Sequence, residues 1–246
     1  VLDEVVDNIF ETLKERAKTR VVLFGEEHRN GVFRQIGRSL IPRLQELGFT
    51  HLAIELRDED RSALIAYCKG LRTYQRLIKN KFSKKRSIRT LIRRTYLNMV
   101  KRGFQSGLEI IFINKKDPGR DNHMFELIDT ALDGTTHRVA VWVGLGHIYV
   151  PPAGSHAART TQYQNLAMLL DSKYECYRIA EISQLQSLNH LPVPSLIETP
   201  NDDLNHDVRR LKIGVPGVIP ELPPETIFVS WNWFDAVVWC GQQVSH

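Results

Sequence analysis

Two short apolar runs that end in glycine constrain this chain more than any other feature. Residues 20–24 lead into Gly25 and residues 138–143 lead into Gly144, and two runs of similar length, 51–56 and 109–113, lie between them. Runs of about five β-branched, aliphatic and aromatic residues are too short for buried helices and read as strands covered on both faces. Helical spacing fills the gaps, over residues 2–18, 34–47 with a disturbance at Pro42, 58–69 behind Asp58, 121–132 ending near Gly134, and 157–171. Strands alternating with helices imply an α/β fold with a mainly parallel sheet flanked by crossover helices. A fifth strand is expected over 177–182. Residues 190–224, rich in Pro, Asn and Asp, are expected to wander over the surface, and 226–230 and 236–240 are expected to be late edge strands. No solenoid repeat or linker interrupts the pattern, so residues 1–246 read as a single domain.

Composition narrows the class. With 246 residues, 42% hydrophobic and 25% charged, the chain can bury a substantial core, which excludes intrinsic disorder. No stretch approaches the roughly 18 apolar residues that span a bilayer, and the N-terminal stretch is charged and helical in pattern rather than a signal peptide. A soluble chain is expected, its compartment left open between cytoplasm and a secreted effector domain; it begins at Val1, as a processed or excised segment would. Cys68, Cys176 and Cys240 are odd in number and scattered, which fits neither a disulfide framework nor a thiolate metal site, and they read as buried thiols.

The net charge of +5 hides an asymmetry. Residues 69–102 hold thirteen Lys or Arg (69, 72, 76, 79, 81, 84, 85, 86, 89, 93, 94, 101 and 102) and no acid, and the remainder carries 20 basic against 28 acidic residues, a net of −8. Apolar positions recur in that segment at Leu71, Tyr74, Leu77 and Ile78, and at Ile88, Leu91, Ile92, Tyr96 and Met99. This is helical spacing, and it implies two amphipathic basic helices broken near 82–86, inserted between the second and third strands. Such a segment attracts phosphates, nucleic acid or acidic membrane, or else forms a solvated outer face. Leaving from the same edge as the strand ends, it is placed to cap them.

In an open parallel sheet the carboxyl ends of the strands share one edge, where ligands sit. The residues converging there are Gly25-Glu26-Glu27-His28, then Glu55, then Gly144-Leu145-Gly146-His147. Imidazole and carboxylate together form a ligand set for zinc, manganese or cobalt, and an adjacent carboxylate can act as base toward a bound water. Each histidine could equally be a satisfied structural residue. Glu55, inside an apolar run, is costly to bury unless paired to an arginine or to a metal. Gly144-Leu145-Gly146 lacks the rest of a dinucleotide fingerprint, and no helix follows it.

In these residues the chain resembles the EreA/ChaN-like superfamily, which joins haem-binding ChaN-like lipoproteins, erythromycin esterases, TraB-like proteins and Tiki metalloproteases and occurs as domains in bacterial toxins. Leu23-Phe24-Gly25-Glu26-Glu27-His28 resembles its first Gly-x-x-His, in the Gly-Glu-x-His form, and Ala53-Ile54-Glu55 its second-strand glutamate. Arg120-Asp121-Asn122-His123-Met124 is similar to its Arg-Asp/Asn-x-x-Met helix start, and Val141-Trp142-Val143-Gly144-Leu145-Gly146-His147 to its second Gly-x-x-His. Phe234-Asp235-Ala236 is a looser likeness to the last strand of several members, or an ordinary edge strand with a capped start. The basic segment is more cationic than the helical insertion of such proteins, and no lipoprotein signal is present.

The resemblance implies a metal-dependent hydrolase acting on an anionic, phosphate-bearing, ester or peptide substrate, in a toxin or effector context. It implies a divalent ion at His28, His147 and Glu55, with Glu26, Glu27, Glu55, Arg120 and Asp121 as the catalytic set. Arg120 either stabilises developing negative charge or clamps Glu55. A non-catalytic carrier of haem or another anionic ligand is the alternative reading. A third is that the basic helices bind nucleic acid or acidic membrane beside a vestigial site.

Overall fold

The computed structural model describes residues 2–27, 31–77, 94–115, 119–133, 136–150, 164–182, 195–198, 208–213, 225–230 and 234–240. Its strands are β1 (Val21–Glu26), β2 (His51–Arg57), β3 (Glu109–Asn114), β4 (Val139–Gly144), β5 (Cys176–Ile182), β6 (Ser195–Glu198), β7 (Val208–Ile213), β8 (Glu225–Ser230) and β9 (Ala236–Trp239). Its α-helices are α1 (Leu2–Glu15), α2 (Gly31–Leu40), α3 (Arg61–Cys68), α4 (Tyr74–Leu77), α5 (Arg94–Gln105), α6 (Arg120–Ala131) and α7 (Leu166–Asp171). Seven strands form one sheet in the order β3-β2-β4-β1-β5-β9-β6. All its pairings are parallel except β6 with β9, so the fold is α/β with a mainly parallel sheet.

The order of strands explains the two helical layers. Moving from β1 to β2 to β3 the chain steps one way along the sheet, and from β3 through β4 to β5 it steps back. Right-handed crossovers in opposite directions place their helices on opposite faces. Accordingly α1, α2, α3 and α5 pack with Val22, Phe24, Ile54 and Trp142 on one face, here face A. On the other, face B, α6 and α7 pack with Leu23, Ala53, Val141 and Ala180. Both faces are covered, which is why β1 and β4 are buried at every position and show no polar alternation.

Helix geometry follows local chemistry. Pro42 cannot continue α2 with a backbone donor, and the chain tightens into a 3-10 segment over Ile41–Leu47 that ends at Gly48, whose φ of 80° only glycine adopts without strain. α5 buries Tyr96, Leu97, Met99, Val100 and Gly103 and packs against α2 and α3. The C-terminal part of the basic segment is therefore a core helix of face A and no cap over the strand ends. Residues 78–93 of that segment lie outside the described residues, as do 151–163 at the start of the helix expected over 157–171.

The late chain departs most from expectation. β6 and β7 fall within residues 190–224, expected to wander, and β9 is an inner strand, flanked by β5 and by β6 at the edge. β8 pairs with β7 in a separate two-stranded sheet. A four-residue strand between prolines leaves no periodic signal, and an edge position tolerates the missing donors. Asp235, one residue before β9, accepts from the Arg178 backbone N–H at 2.7 Å and from its Nε at 2.8 Å, which sets β9 in register beside β5. Cys68 and Cys240 are buried as expected, whereas Cys176 is partly exposed. No described helix is long and apolar enough to cross a membrane.

The centre of face A is aromatic. Trp142 stacks on Phe24 at 5.2 Å between ring centroids and meets Phe33 of α2 at 4.8 Å. α2 approaches this ring through Gly37, where an added Cβ would stand 2.6 Å from Trp142 Cη2 and Cζ3. Gly37→Ala gains about 1 kcal/mol of helix propensity, but the indole is held by both phenyl rings and cannot move away. Overpacking of that kind costs about 1–3 kcal/mol, so the variant is expected to unfold at lower urea concentration than the parent protein; an unchanged or higher midpoint would count against this contact.

Candidate functional site

The carboxyl ends of β1, β2, β4 and β5 lie along one edge, but their carboxylates do not share one site. In the parallel register Gly25 of β1 stands beside Val143 of β4, Glu26 beside Gly144, and Ile54 of β2 beside Trp142. Side chains alternate between faces along each strand. Glu55, in step with Ala53, therefore points to face B, and Glu26, in step with Phe24, points to face A. The expectation that Glu26 and Glu55 serve one centre is corrected by this alternation.

On face B four of the expected residues come together. Glu55 Oε1 accepts from Arg120 Nη2, and its Oε2 accepts from the Gly144 backbone N–H at 2.8 Å. His147 follows β4 in a single 3-10 turn over Leu145–His147, and its Nε2 faces Glu55 Oε1 at 4.0 Å. Its Nδ1 lies 2.6 Å from Asp121 Oδ1, an oxygen that also accepts from the Leu166 N–H at 3.0 Å. Asp121 sits in the first turn of α6 and Leu166 opens α7, so two helix N-termini surround one carboxylate. A carboxylate oxygen accepts, so the imidazole presents Nδ1–H to Asp121. Asn165 locks the start of α7, capping Met168 N and donating from Nδ2 to the Tyr149 carbonyl.

Exposure grades across this cluster in a useful way. The side chains of Glu55 and Asp121 are 7% and 2% exposed, while those of His147 and Arg120 are 16% and 26% exposed. The acidic partners are thus interior and the two groups that could meet a substrate face outward. Burial lowers the Arg120 pKa from its ordinary value and Asp121 opposes the shift. Arg120 Nε is buried without an acceptor, a donor left over after the clamp on Glu55 is made.

These contacts bear on the ion expected at His28, His147 and Glu55. His28 lies outside the described residues. Both oxygens of Glu55 are engaged, and the guanidinium of Arg120 sits on the oxygen that faces His147, where a cation would need to stand. Among the described residues no group of three or more His, Cys, Asp or Glu side chains is gathered to hold a metal ion. The donors seen on face B do not fit a metal centre.

Face A holds a second polar cluster that sequence reasoning did not assemble. Glu26 accepts from Arg34 Nε and Nη2, both at 2.8 Å, and from the Trp142 indole N–H at 2.9 Å. The ion pair is sealed, with side chains 0% and 1% exposed. Burial alone would lower the Arg34 pKa, but Glu26 outweighs it and the net shift is upward. β5 pairs with β1 up to Gly25 and Ala180, and one residue further Glu181 stands beside Glu26 on the same face. Glu181 is fully buried and its Oε2 accepts from the Glu27 N–H at 2.7 Å, which ties the end of β1 to β5. Burial first, and Glu26 second, raise the Glu181 pKa well above the ordinary carboxylate value. The signal that could have found it was visible: Ala180-Glu181-Ile182 repeats the acid-in-apolar pattern of Ile54-Glu55-Leu56.

Two stability predictions follow from face A. Arg34→Met leaves Glu26 buried without its cation and is expected to cost about 3–5 kcal/mol, and Glu26→Gln added to it should restore most of that loss; chemical denaturation of the three proteins checks this, and equal losses in single and double variants would refute it. A pKa raised well above the ordinary 4.5 means that the fold favours the protonated Glu181 carboxyl more than the unfolded chain does. Its contribution to stability therefore falls as pH rises from that value toward the raised folded pKa. Glu181→Gln removes this slope, so its stability relative to the parent should increase between pH 5 and pH 8; a difference independent of pH would show that Glu181 is ionised in the fold.

No family model matches the sequence, and no curated protein matches it. Solved structures do. A protein from Bacillus cereus is 11% identical with a TM-score of 0.50, over 96% of this chain and 91% of that one. The type III effector HopBA1 is 13% identical, with a TM-score of 0.49 over 95% of this chain and 93% of its own. ChaN of Campylobacter jejuni, solved with cofacially bound haem, is 12% identical with a TM-score of 0.47 over 93% and 91%. At 11% identity, what the Bacillus cereus structure shares with this chain is the fold.

Proposed function

We propose that the protein is a hydrolase whose face B site cleaves an ester, amide or phosphate-bearing substrate with His147 as general base. The carrying observation is the 2.6 Å contact between Asp121 Oδ1 and His147 Nδ1. A carboxylate on Nδ1 fixes the imidazole ring and its tautomer, leaves Nε2 to take a proton, and stabilises the imidazolium that results. His147 is the more exposed member of this pair, 16% against 2% for Asp121, so a water or hydroxyl can approach its ring. Arg120 supplies positive charge beside it, and its partly exposed guanidinium is the group best placed to answer an oxyanion that develops during attack. Glu55 then acts through Arg120, holding the guanidinium in place while the Gly144 N–H holds Glu55. Glu26 is assigned no chemical role, because it is sealed on the opposite face by Arg34 and Trp142.

The experiment is a turnover screen of the purified chain against chromogenic carboxylic esters, anilides and phosphate monoesters, with and without chelator. His147→Gln is expected to lower kcat by about 10²- to 10⁴-fold on whichever class is cleaved. Arg120→Lys should reduce turnover sharply at a nearly unchanged Tm, since lysine keeps the charge but cannot both clamp Glu55 and donate outward. Absence of turnover on all three classes, with a visible haem absorption band in the purified protein, would replace this reading by that of a ligand carrier. Loss of Tm in parallel with activity in Arg120→Lys would reduce Arg120 to a structural clamp.

A further inference from the structure

The charge asymmetry of the sequence becomes a spatial one in the fold. None of the helices α2, α3, α4 and α5 contains an Asp or Glu, and all four pack on face A. On face B, by contrast, α6 carries Asp121, Glu126 and Asp129, and α7 ends in Asp171. The outer surface of face A is therefore cationic. α5 contributes Arg94, Lys101 and Arg102 and packs against α2, which presents Arg38, and against α3, whose C-terminal extension carries the exposed Lys69 and Arg72. Tyr67 of α3 donates to Asn98 Oδ1 of α5 at 2.7 Å, and Lys101 Nζ lies 5.2 Å from the centre of the Tyr67 ring, so the end of α3 and the outer side of α5 share one surface.

Acids border this surface but are answered locally. On the α1 side Arg43 pairs with Asp7 and Lys14 with Glu11, and at the far end of α3 Arg61 pairs with Asp58 and Arg57 with Glu59. Among the described residues no acid pairs with Arg38, Arg94 or Arg102, all of them exposed. Like charges held side by side without counter-charge attract a polyanion. α2 and α5 also enclose a cleft of about 530 Å³ whose lining includes Gln35, Arg38, Ser39 and Arg102 and no acid. Two guanidinium groups and a hydroxyl on its walls are donors suited to a phosphate.

One side chain selects a lipid surface over a nucleic acid. At the end of α3 Gly70, with φ of 75°, turns the chain, and the Leu71 N–H bonds back to the Ala66 carbonyl at 2.8 Å. A helix stop of this kind commonly folds the next apolar side chain back onto the helix. Here Leu71 is 74% exposed, the one large apolar side chain left in water among the described residues. A leucine between Lys69 and Arg72 gains by entering the boundary of headgroups and acyl chains while the cations meet acidic headgroups. It gains nothing from a phosphate backbone. Bases would need exposed rings to stack on, and Phe33, Tyr67 and Tyr96 of these helices are buried.

We propose that the outer surface of α2 and α5, with Leu71 at the end of α3, docks on a membrane rich in acidic phospholipid. The attachment is peripheral, since no described helix is long and apolar enough to cross a bilayer. The His147 cluster lies on the opposite face of the sheet, so docking leaves it open to solution and does not depend on the hydrolase reading.

The test is sedimentation of the full chain with vesicles of phosphatidylcholine containing about 30% phosphatidylserine, at roughly 0.1 M salt, where exposed charges act over about 10 Å. The chain is expected to pellet with these vesicles, to stay in solution with phosphatidylcholine alone, and to be released as salt is raised. Each exposed cation is worth about fivefold in binding to such a surface, so Arg94→Gln combined with Arg102→Gln should weaken binding by about 25-fold. Leu71→Ser should weaken it by about threefold or more. All three positions are exposed, so these changes leave the fold intact. His147→Gln should bind as the parent protein does. Failure of the parent protein to pellet with the acidic vesicles overturns the proposal, as does binding unchanged in the arginine double variant or in Leu71→Ser. Tighter binding of a single-stranded RNA oligonucleotide, indifferent to Leu71→Ser, would replace the membrane by a nucleic acid.

Discussion

Side-chain alternation along in-register parallel strands governs where every functional group in this protein lies. β1, β2, β4 and β5 run side by side with matched levels, so a shift of one residue along a strand moves a carboxylate from one face of the sheet to the other. Glu26 and Glu55 end neighbouring levels of the same edge and yet belong to different clusters, one against α2 and α5, the other against α6 and α7. The same rule puts Glu181 beside Glu26, and His51 beside Glu109 at the far end.

Burying charge on both faces of one sheet requires each group to be answered by a partner. On face A the answer is a bidentate arginine and an indole N–H for Glu26, in surroundings so dry that the neighbouring Glu181 is held toward its neutral form. A pair sealed in this way is more valuable for holding β1, β4 and α2 in one arrangement than as chemistry, because nothing dissolved can reach it. On face B the interior acids Glu55 and Asp121 are answered by Arg120 and His147, which reach outward. The inner carboxylates orient the outer groups, and this separates a rigid support from the surface where a substrate can arrive.

The fold also separates two polar clusters along the strand axis. The carboxyl edge carries Glu55 in β2, Arg120 and Asp121 in the first turn of α6 and His147 just after β4, as expected for the crevice of a parallel sheet. The strand starts carry an imidazole pair, His51 and His137, in a cleft lined also by Thr130 and Ala131 at the C-terminal end of α6. One helix therefore serves both ends: its N-terminus carries Arg120 and Asp121, and its C-terminus supplies the carbonyl that orients His137.

Much of this was legible in the amino-acid sequence, because local rules wrote it there. Short apolar runs ending at Gly25 and Gly144 specified buried parallel strands, and the intervening helical spacing specified crossovers, since a strand covered on both faces has no polar positions to show. Gly144-Leu145-Gly146-His147, Glu55 and Arg120-Asp121 could be placed at one edge for the same reason. What the sequence could not state was which face each acid would take relative to its neighbours, since that depends on the register between strands far apart in the chain. Only the packed structure put Glu26 with Arg34 and Trp142, Glu181 beside Glu26, and His51 beside Glu109. It also decided that β9 lies inside the sheet and that Tyr96 and Met99 of the basic segment pack into the core. In each case contacts between residues distant along the chain, which leave no periodic trace, outweighed the local pattern.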